Sequence, residues 1–177
     1  LSVVDEGRPL MTELGGISCS SMEFASRVKQ LAAGLQALGL KPGAKVGLLA
    51  LNSTRYAESI CGTICAGMVT VPLNLRWSPK ELAYAIDDAG VEALIVDDMF
   101  LAAVEPITGL TDRLQHVIHF GAAETPKGVQ PYEGLLGKEA ELELLRDPRT
   151  MCLISYTGGT TGFPKGVVHT HASLLAS

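Results

Sequence analysis

Two rhythms of apolar and polar positions run along this chain: a three-and-four spacing that builds helices, and short apolar runs that build strands. Phe24, Val28, Leu31, Leu35 and Leu38 fall on one helical face, behind a Ser20-x-x-Glu23 capping box that opens the helix. Gly39 ends it, with Pro42 shortly after. Residues 45–51 are then almost wholly apolar, the mark of a strand covered on both faces. A second helix is capped by Asn52 or Ser53 and closed by Gly67, and its small residues Cys61, Gly62, Cys65 and Ala66 suit close packing against a sheet. Val69-Thr70-Val71-Pro72 reads as a second strand. Ser78-Pro79-Lys80-Glu81 joins a capping box to a proline at the first helical position and predicts a helix to about Ala89, stopped by Gly90. Third and fourth strands follow at 93–96 and 117–120. Alternation of this kind predicts an α/β fold, a mostly parallel sheet with helices on both faces.

Two stretches stand outside that rhythm. Residues 1–19 are mixed, with Arg8-Pro9 and Gly15-Gly16 as breaks. Residues 121–150 are charged and strand-poor, and read as a solvated connection with short helices near 132–136 and 138–145. Glu133 and the other acidic residues here belong to a solvated face rather than a metal site. Met151-Cys152-Leu153-Ile154-Ser155 then returns to strand pattern. Arg76 and Trp77, just before a helix cap, read as surface residues packing on that helix.

Composition narrows the class. Of 177 residues, 47% are hydrophobic and 19% charged, which suits one α/β unit with a substantial core. The formal net charge of −5 and the lack of a basic run argue against nucleic acid as partner. No apolar run reaches bilayer length. Nothing in the composition supports a particular oligomer. Cys19, Cys61, Cys65 and Cys152 lie among apolar or small residues, and the His116-x-x-His119 spacing fits no familiar zinc module. Reduced core thiols and a cytoplasmic address are the expectation.

The strand from Met151 leads into Tyr156-Thr157-Gly158-Gly159-Thr160-Thr161-Gly162-Phe163-Pro164-Lys165-Gly166, with four glycines, three threonines and one lysine. Glycines let successive backbone N–H groups line a concavity suited to phosphate oxygens. Threonine hydroxyls add donors and oxygen ligands for Mg²⁺, and Lys165 adds a full positive charge. This is not a Walker A loop, which places Ser or Thr directly after its lysine and opens into a helix. Here Gly166 follows the lysine, residues 166–169 read as a strand, and only then does Thr170 cap a helix from His171.

At these residues the chain resembles the AMP-forming adenylating superfamily: acyl- and aryl-CoA synthetases, peptide-synthetase adenylation domains and beetle luciferases. Their signature loop reads Tyr or Phe, Thr, Ser or Gly, then G-T-T-G-x-P-K-G-V, followed by a Thr-His pair. The match runs from Tyr156 through Val167 and again at Thr170-His171, with Gly158 where many members have serine. Gly39-Leu40-Lys41-Pro42-Gly43 and Val71-Pro72-Leu73-Asn74 look similar too, as scaffold beside the site. The resemblance implies ATP-dependent activation of a carboxylic acid to an acyl-adenylate with release of pyrophosphate, and then transfer to CoA. CoA is the acceptor expected, since Gly158 and the compact N-terminal half look most like acyl-CoA synthetases, and a fatty acid is the substrate expected. Thr157, Gly158, Gly159, Thr160, Thr161, Gly162 and Lys165 would hold the pyrophosphate end of ATP, with Lys165 as the catalytic cation and Thr157 touching Mg²⁺. His169 and His171 are weaker candidates, placed for packing or phosphate contact. On the same resemblance, residues 1–177 are the N-terminal portion of an AMP-binding domain, inactive alone. An ATPase with a convergent phosphate loop and a non-catalytic nucleotide-binding module are the alternatives.

Overall fold

The computed structural model describes residues 9–13, 18–137, 147–157 and 164–176. Two short strands, β1 (Pro9–Thr12) and β2 (Ser18–Ser20), pair antiparallel ahead of the main sheet. Pro9, expected to break structure, therefore starts a strand, a position where its missing N–H is tolerated. Helix α1 (Ser21–Ala37) begins at the predicted capping box. The Ser20 Oγ accepts from the Glu23 N–H at 3.2 Å, and the Glu23 carboxylate accepts from the Ser20 N–H at 2.9 Å. Beyond it, Gly39 takes φ +93°, a left-handed stop that a Cβ would disfavour.

Strand and helix then alternate: β3 (Lys45–Leu49), α2 (Thr54–Cys65), β4 (Val69–Pro72), α3 (Pro79–Ala89), β5 (Val91–Asp97), α4 (Leu101–Thr108), β6 (His116–Phe120) and β7 (Gln130–Pro131). After them come β8 (Met151–Thr157), β9 (Lys165–Thr170) and α5 (His171–Leu175). The seven strands β3–β9 form one sheet in the order β7-β6-β5-β3-β4-β8-β9, parallel except for the β8–β9 pair. From β3 to β4 the chain steps one way across the sheet; from β4 to β5 it steps back past β3. Right-handed crossovers in opposite directions put their helices on opposite faces. Accordingly α1 and α2 cover one face, over Leu31, Leu35, Leu48 and Ile95. The other face carries α3 and α4, over Leu82, Ile86, Leu94, Val96 and Ile107. Within β5, Ile95 serves the first core and its neighbours Leu94 and Val96 the second, the period-2 alternation of a doubly covered strand. Among the described residues no helix is long and apolar enough to cross a membrane.

The pattern missed some elements and misread others. Helix α4 carries no usable sequence signal, because it is only 8 residues long and Pro106 sits inside it. Residues 132–135 form a 3₁₀ turn rather than a helix, and the second helix expected near 138–145 lies outside the described residues. Gly62 does close-pack, but against α1 rather than the sheet: a Cβ there would stand 2.6 Å from Leu31 Cδ2. Of the cysteines only Cys152 is buried; Cys19, Cys61 and Cys65 are half-buried, and all four are free thiols.

Glu133 is exposed, as expected of a solvated face, and also closes an ion cluster across α1, α2 and the 132–135 turn. Fully buried Glu58 accepts from Arg27 Nε and Arg55 Nη1, each at 2.8 Å, and from the Tyr132 hydroxyl at 3.3 Å. The same arginines reach Glu133, Arg27 Nη2 at 2.7 Å and Arg55 Nε at 3.1 Å. Partial burial works to raise the Glu133 pKa, but the bonds and charges of Arg27 and Arg55 outweigh it, and the group titrates below its ordinary 4.5. A carboxyl lowered by folding contributes stability that is whole above the unfolded pKa and is lost as pH falls through the folded one. Urea titrations between about pH 5 and 3 should therefore show a shallower fall in stability for Glu133→Gln than for the wild type.

The turn that carries Glu133 lies hard against α1. A Cβ on Gly34 would stand 2.5 Å from the Leu135 carbonyl oxygen and 2.7 Å from its Cβ. Gly34→Ala must push backbone from backbone, so denaturation should show a loss of about 1–3 kcal/mol despite alanine's better helix propensity.

Candidate functional site

In a parallel sheet, ligands bind beyond the carboxyl ends of the strands. Strand β8 runs parallel to β4, so Thr157 reaches that edge, and β9 returns antiparallel from it. The chain between them is the Gly/Thr stretch. Of the predicted site residues, Gly158, Gly159, Thr160, Thr161 and Gly162 lie outside the described residues, while Thr157 and Lys165 lie within them.

Strand register brings the two ends of the stretch together. Thr157 faces Lys165 and Tyr156 faces Gly166 across the pair, and the Thr157 hydroxyl lies 3.4 Å from the Lys165 carbonyl oxygen. Both Thr157 and Lys165 are exposed. A lysine and a hydroxyl-bearing threonine are thus cross-strand partners at the loop's neck, both open to solvent. His169 is half-buried on β9 and His171 half-buried at the first position of α5. Between them Thr170 caps α5, accepting from the Ser173 N–H at 3.2 Å.

The neck is held from beneath by Tyr156. Its hydroxyl lies 2.6 Å from Asp88 Oδ2 and 3.3 Å from the Ala85 carbonyl oxygen, both on α3. Burial first, then the bond to Asp88, pushes this phenol above its ordinary pKa, so it stays a donor across the physiological range. Trp77 meets the same ring edge-on, with centroids 5.9 Å apart at 80°. This corrects the expectation for Trp77: it is half-buried and packs on the strand that delivers the loop. No sequence signal marks Asp88, an exposed aspartate beside another on a helix.

The donor set suits magnesium brought in on a nucleotide. Mg²⁺ keeps most of its waters and takes only one or two protein oxygens beside substrate phosphates. The exposed Thr157 hydroxyl can supply one such oxygen, and among the described residues no cluster of His, Cys, Asp or Glu is arranged to hold a metal. His119 has both ring nitrogens engaged, Nε2 with Asp98 at 2.7 Å and Nδ1 with Thr125 at 2.9 Å, while His116 Nδ1 lies 3.2 Å from the Gln130 amide. Backbone N–H bonds from Ala122 and Ala123, together with His119, lower the Asp98 carboxyl against a smaller effect of burial, so the group behaves as a loop clip.

A family model described as AMP-binding enzyme matches residues 6–177. The chain belongs to the AMP-binding enzyme family. It is 37% identical over 153 residues to a long-chain-fatty-acid–CoA ligase of Thermus thermophilus, covering 86% of this chain and 28% of that protein. It is 30% identical over 187 residues to a 3-hydroxybenzoate–CoA/4-hydroxybenzoate–CoA ligase of Thauera aromatica, covering 99% of this chain and 36% of that one. Among solved structures, the anthranilate CoA ligase AuaEII in complex with anthranoyl-AMP superposes with a TM-score of 0.87 at 27% identity, over 94% of this chain and 32% of that one. The chain therefore spans about a third, or less, of the relatives it matches. The family membership read from Tyr156–Val167 stands, and so does the mostly parallel α/β architecture with helices on both faces.

Proposed function

We propose that this chain is the N-terminal, phosphate-gripping portion of an AMP-forming acid–CoA ligase, with a fatty acid as the first substrate to test. The single observation that carries the reading is the pairing of Thr157 with Lys165 at the neck of a Gly/Thr loop, on the carboxyl edge of a parallel sheet. In the proposed reaction a carboxylate oxygen of the acid attacks the α-phosphorus of ATP, and the bond to the leaving pyrophosphate breaks. The CoA thiol then attacks the acyl carbon, and AMP departs.

Both reactants of the first step are anionic, so the protein's task is to offset charge on the departing pyrophosphate. Lys165 is assigned that role as an exposed cation, together with Thr157, Gly158, Gly159, Thr160, Thr161 and Gly162. Mg²⁺ bound beside Thr157 would screen the phosphates further. Because the curated relatives are about three times as long, the 177 residues are not expected to complete the reaction alone. A cytoplasmic setting belongs to the same proposal and is supported by four unpaired cysteines.

The test is product analysis with the full-length ligase, ATP, Mg²⁺, CoA and a panel of fatty and aromatic acids. AMP and an acyl-CoA appearing together, and only with some acids, would support the reading and name the acid class. ADP formed regardless of acid would replace it with an ATPase.

A further inference from the structure

We propose that Asp88 is a positioning residue for the Thr157–Lys165 strand pair, acting from α3 through the hydroxyl of Tyr156. The functional half of this inference rests on the ligase reading; the positioning half does not.

Three contacts fix the Tyr156 ring, and each comes from a different part of the chain. Gly166 stands directly across the strand pair and leaves the space that the ring uses. A Cβ on Gly166 would lie 2.9 Å from Ile154 Cγ2 and 3.3 Å from Tyr156 Cζ, so any side chain there would press on the ring. Trp77, ahead of α3, closes the ring's flank edge-on. Asp88 holds the far end, accepting the phenolic proton at 2.6 Å, with the Ala85 carbonyl oxygen as a longer second acceptor at 3.3 Å.

Packing alone would fix the ring's plane, while its hydroxyl needs a partner to hold the ring's tilt about the Cα–Cβ bond. A short bond to a carboxylate sets that tilt, since charge-assisted hydrogen bonds are the shorter and stronger kind. Tyr156 is followed at once by Thr157, which faces Lys165. A shift of the ring is therefore passed to the hydroxyl and the ammonium that would meet the phosphates. Asp88 itself is exposed and packs against no core, so its substitution leaves the fold standing.

Four variants separate positioning from general weakening: Asp88→Ala, Asp88→Asn, Tyr156→Phe and the double variant Asp88→Ala/Tyr156→Phe. The first readout is amide hydrogen exchange at the protected amides of the Tyr156–Gly166 and Thr157–Lys165 pairs in the full chain. Exchange there should rise about three- to tenfold in Asp88→Ala, and at least as much in Tyr156→Phe, which also gives up the Ala85 acceptor. Asp88→Asn keeps a carbonyl acceptor and should stay near wild type. The double variant should be no worse than Tyr156→Phe alone, because both changes cut one bond.

The second readout is steady-state kinetics of the full-length ligase. KM for ATP should rise by a similar factor in Asp88→Ala and Tyr156→Phe, while KM for the acid stays put. Unchanged amide exchange in both single variants would overturn the positioning role, and so would additive effects in the double variant. A wild-type ligase that makes no adenylate with any acid would instead remove the ligase reading, and amide exchange would still decide whether Asp88 positions the strand pair.

Discussion

On the ligase reading, replacing Lys165 with alanine in the full-length protein is expected to lower the rate of acyl-adenylate formation on the order of 10²–10³-fold. The side chain is exposed at the loop's neck, opposite Thr157, and among the described residues it forms no ion pair. It therefore contributes little to the folded state, and an exposed substitution of this kind changes stability by no more than about 0.5 kcal/mol. Its effect should appear where charge gathers on the leaving pyrophosphate. Lys165→Arg keeps the charge but changes its shape and reach, and should recover only part of the rate. Single-turnover measurement of adenylate, alongside thermal melts, separates the two contributions. A Lys165→Ala ligase that forms adenylate at the wild-type rate would take Lys165 out of the mechanism.

The largest effect on stability is expected at Glu58. Its carboxylate is fully buried and accepts from Arg27, Arg55 and Tyr132, so Glu58→Ala strands three donors at once. Breaking a buried pair by removing one partner costs about 3–5 kcal/mol. Here the low end applies. Both arginines keep Glu133, and their side chains remain 22% and 35% exposed, so their charges are not wholly stranded. A loss of about 3 kcal/mol should appear as a lower urea midpoint at unchanged slope. Because the cluster ties α1, α2 and the 132–135 turn together and lies away from the loop's neck, kcat should hold wherever the variant is folded. A loss below about 0.5 kcal/mol would mean that solvent already shields the cluster.

How legible these features were depends on how far apart in sequence the interacting groups lie. The caps at Ser20 and Ser78 each bind a residue three positions on, so a short window contains the whole interaction. The neck of the loop is nearly as local, since Thr157 and Lys165 meet across a hairpin eight residues apart. Helix α4 is illegible for a different reason: an internal proline in an element of only 8 residues leaves too short a stretch for a periodic signal. The contacts that shape the site's support are long-range. Tyr156 reaches Asp88 over 68 positions, and Arg27 reaches Glu133 over 106. No local pattern announces such partners, although Thr54, Glu58 and Gly62 share one buried face of α2, and a carboxylate in that series is a usable sign of a buried ion cluster.

The most direct test of the central claim is exchange of labelled pyrophosphate into ATP by the full-length ligase, with CoA left out and acid added or withheld. Adenylation is reversible at this step, so label should enter ATP only when a suitable carboxylic acid is present. Exchange that ignores the acid, or steady ATP hydrolysis with no exchange, would contradict the assignment of this loop to carboxylate activation.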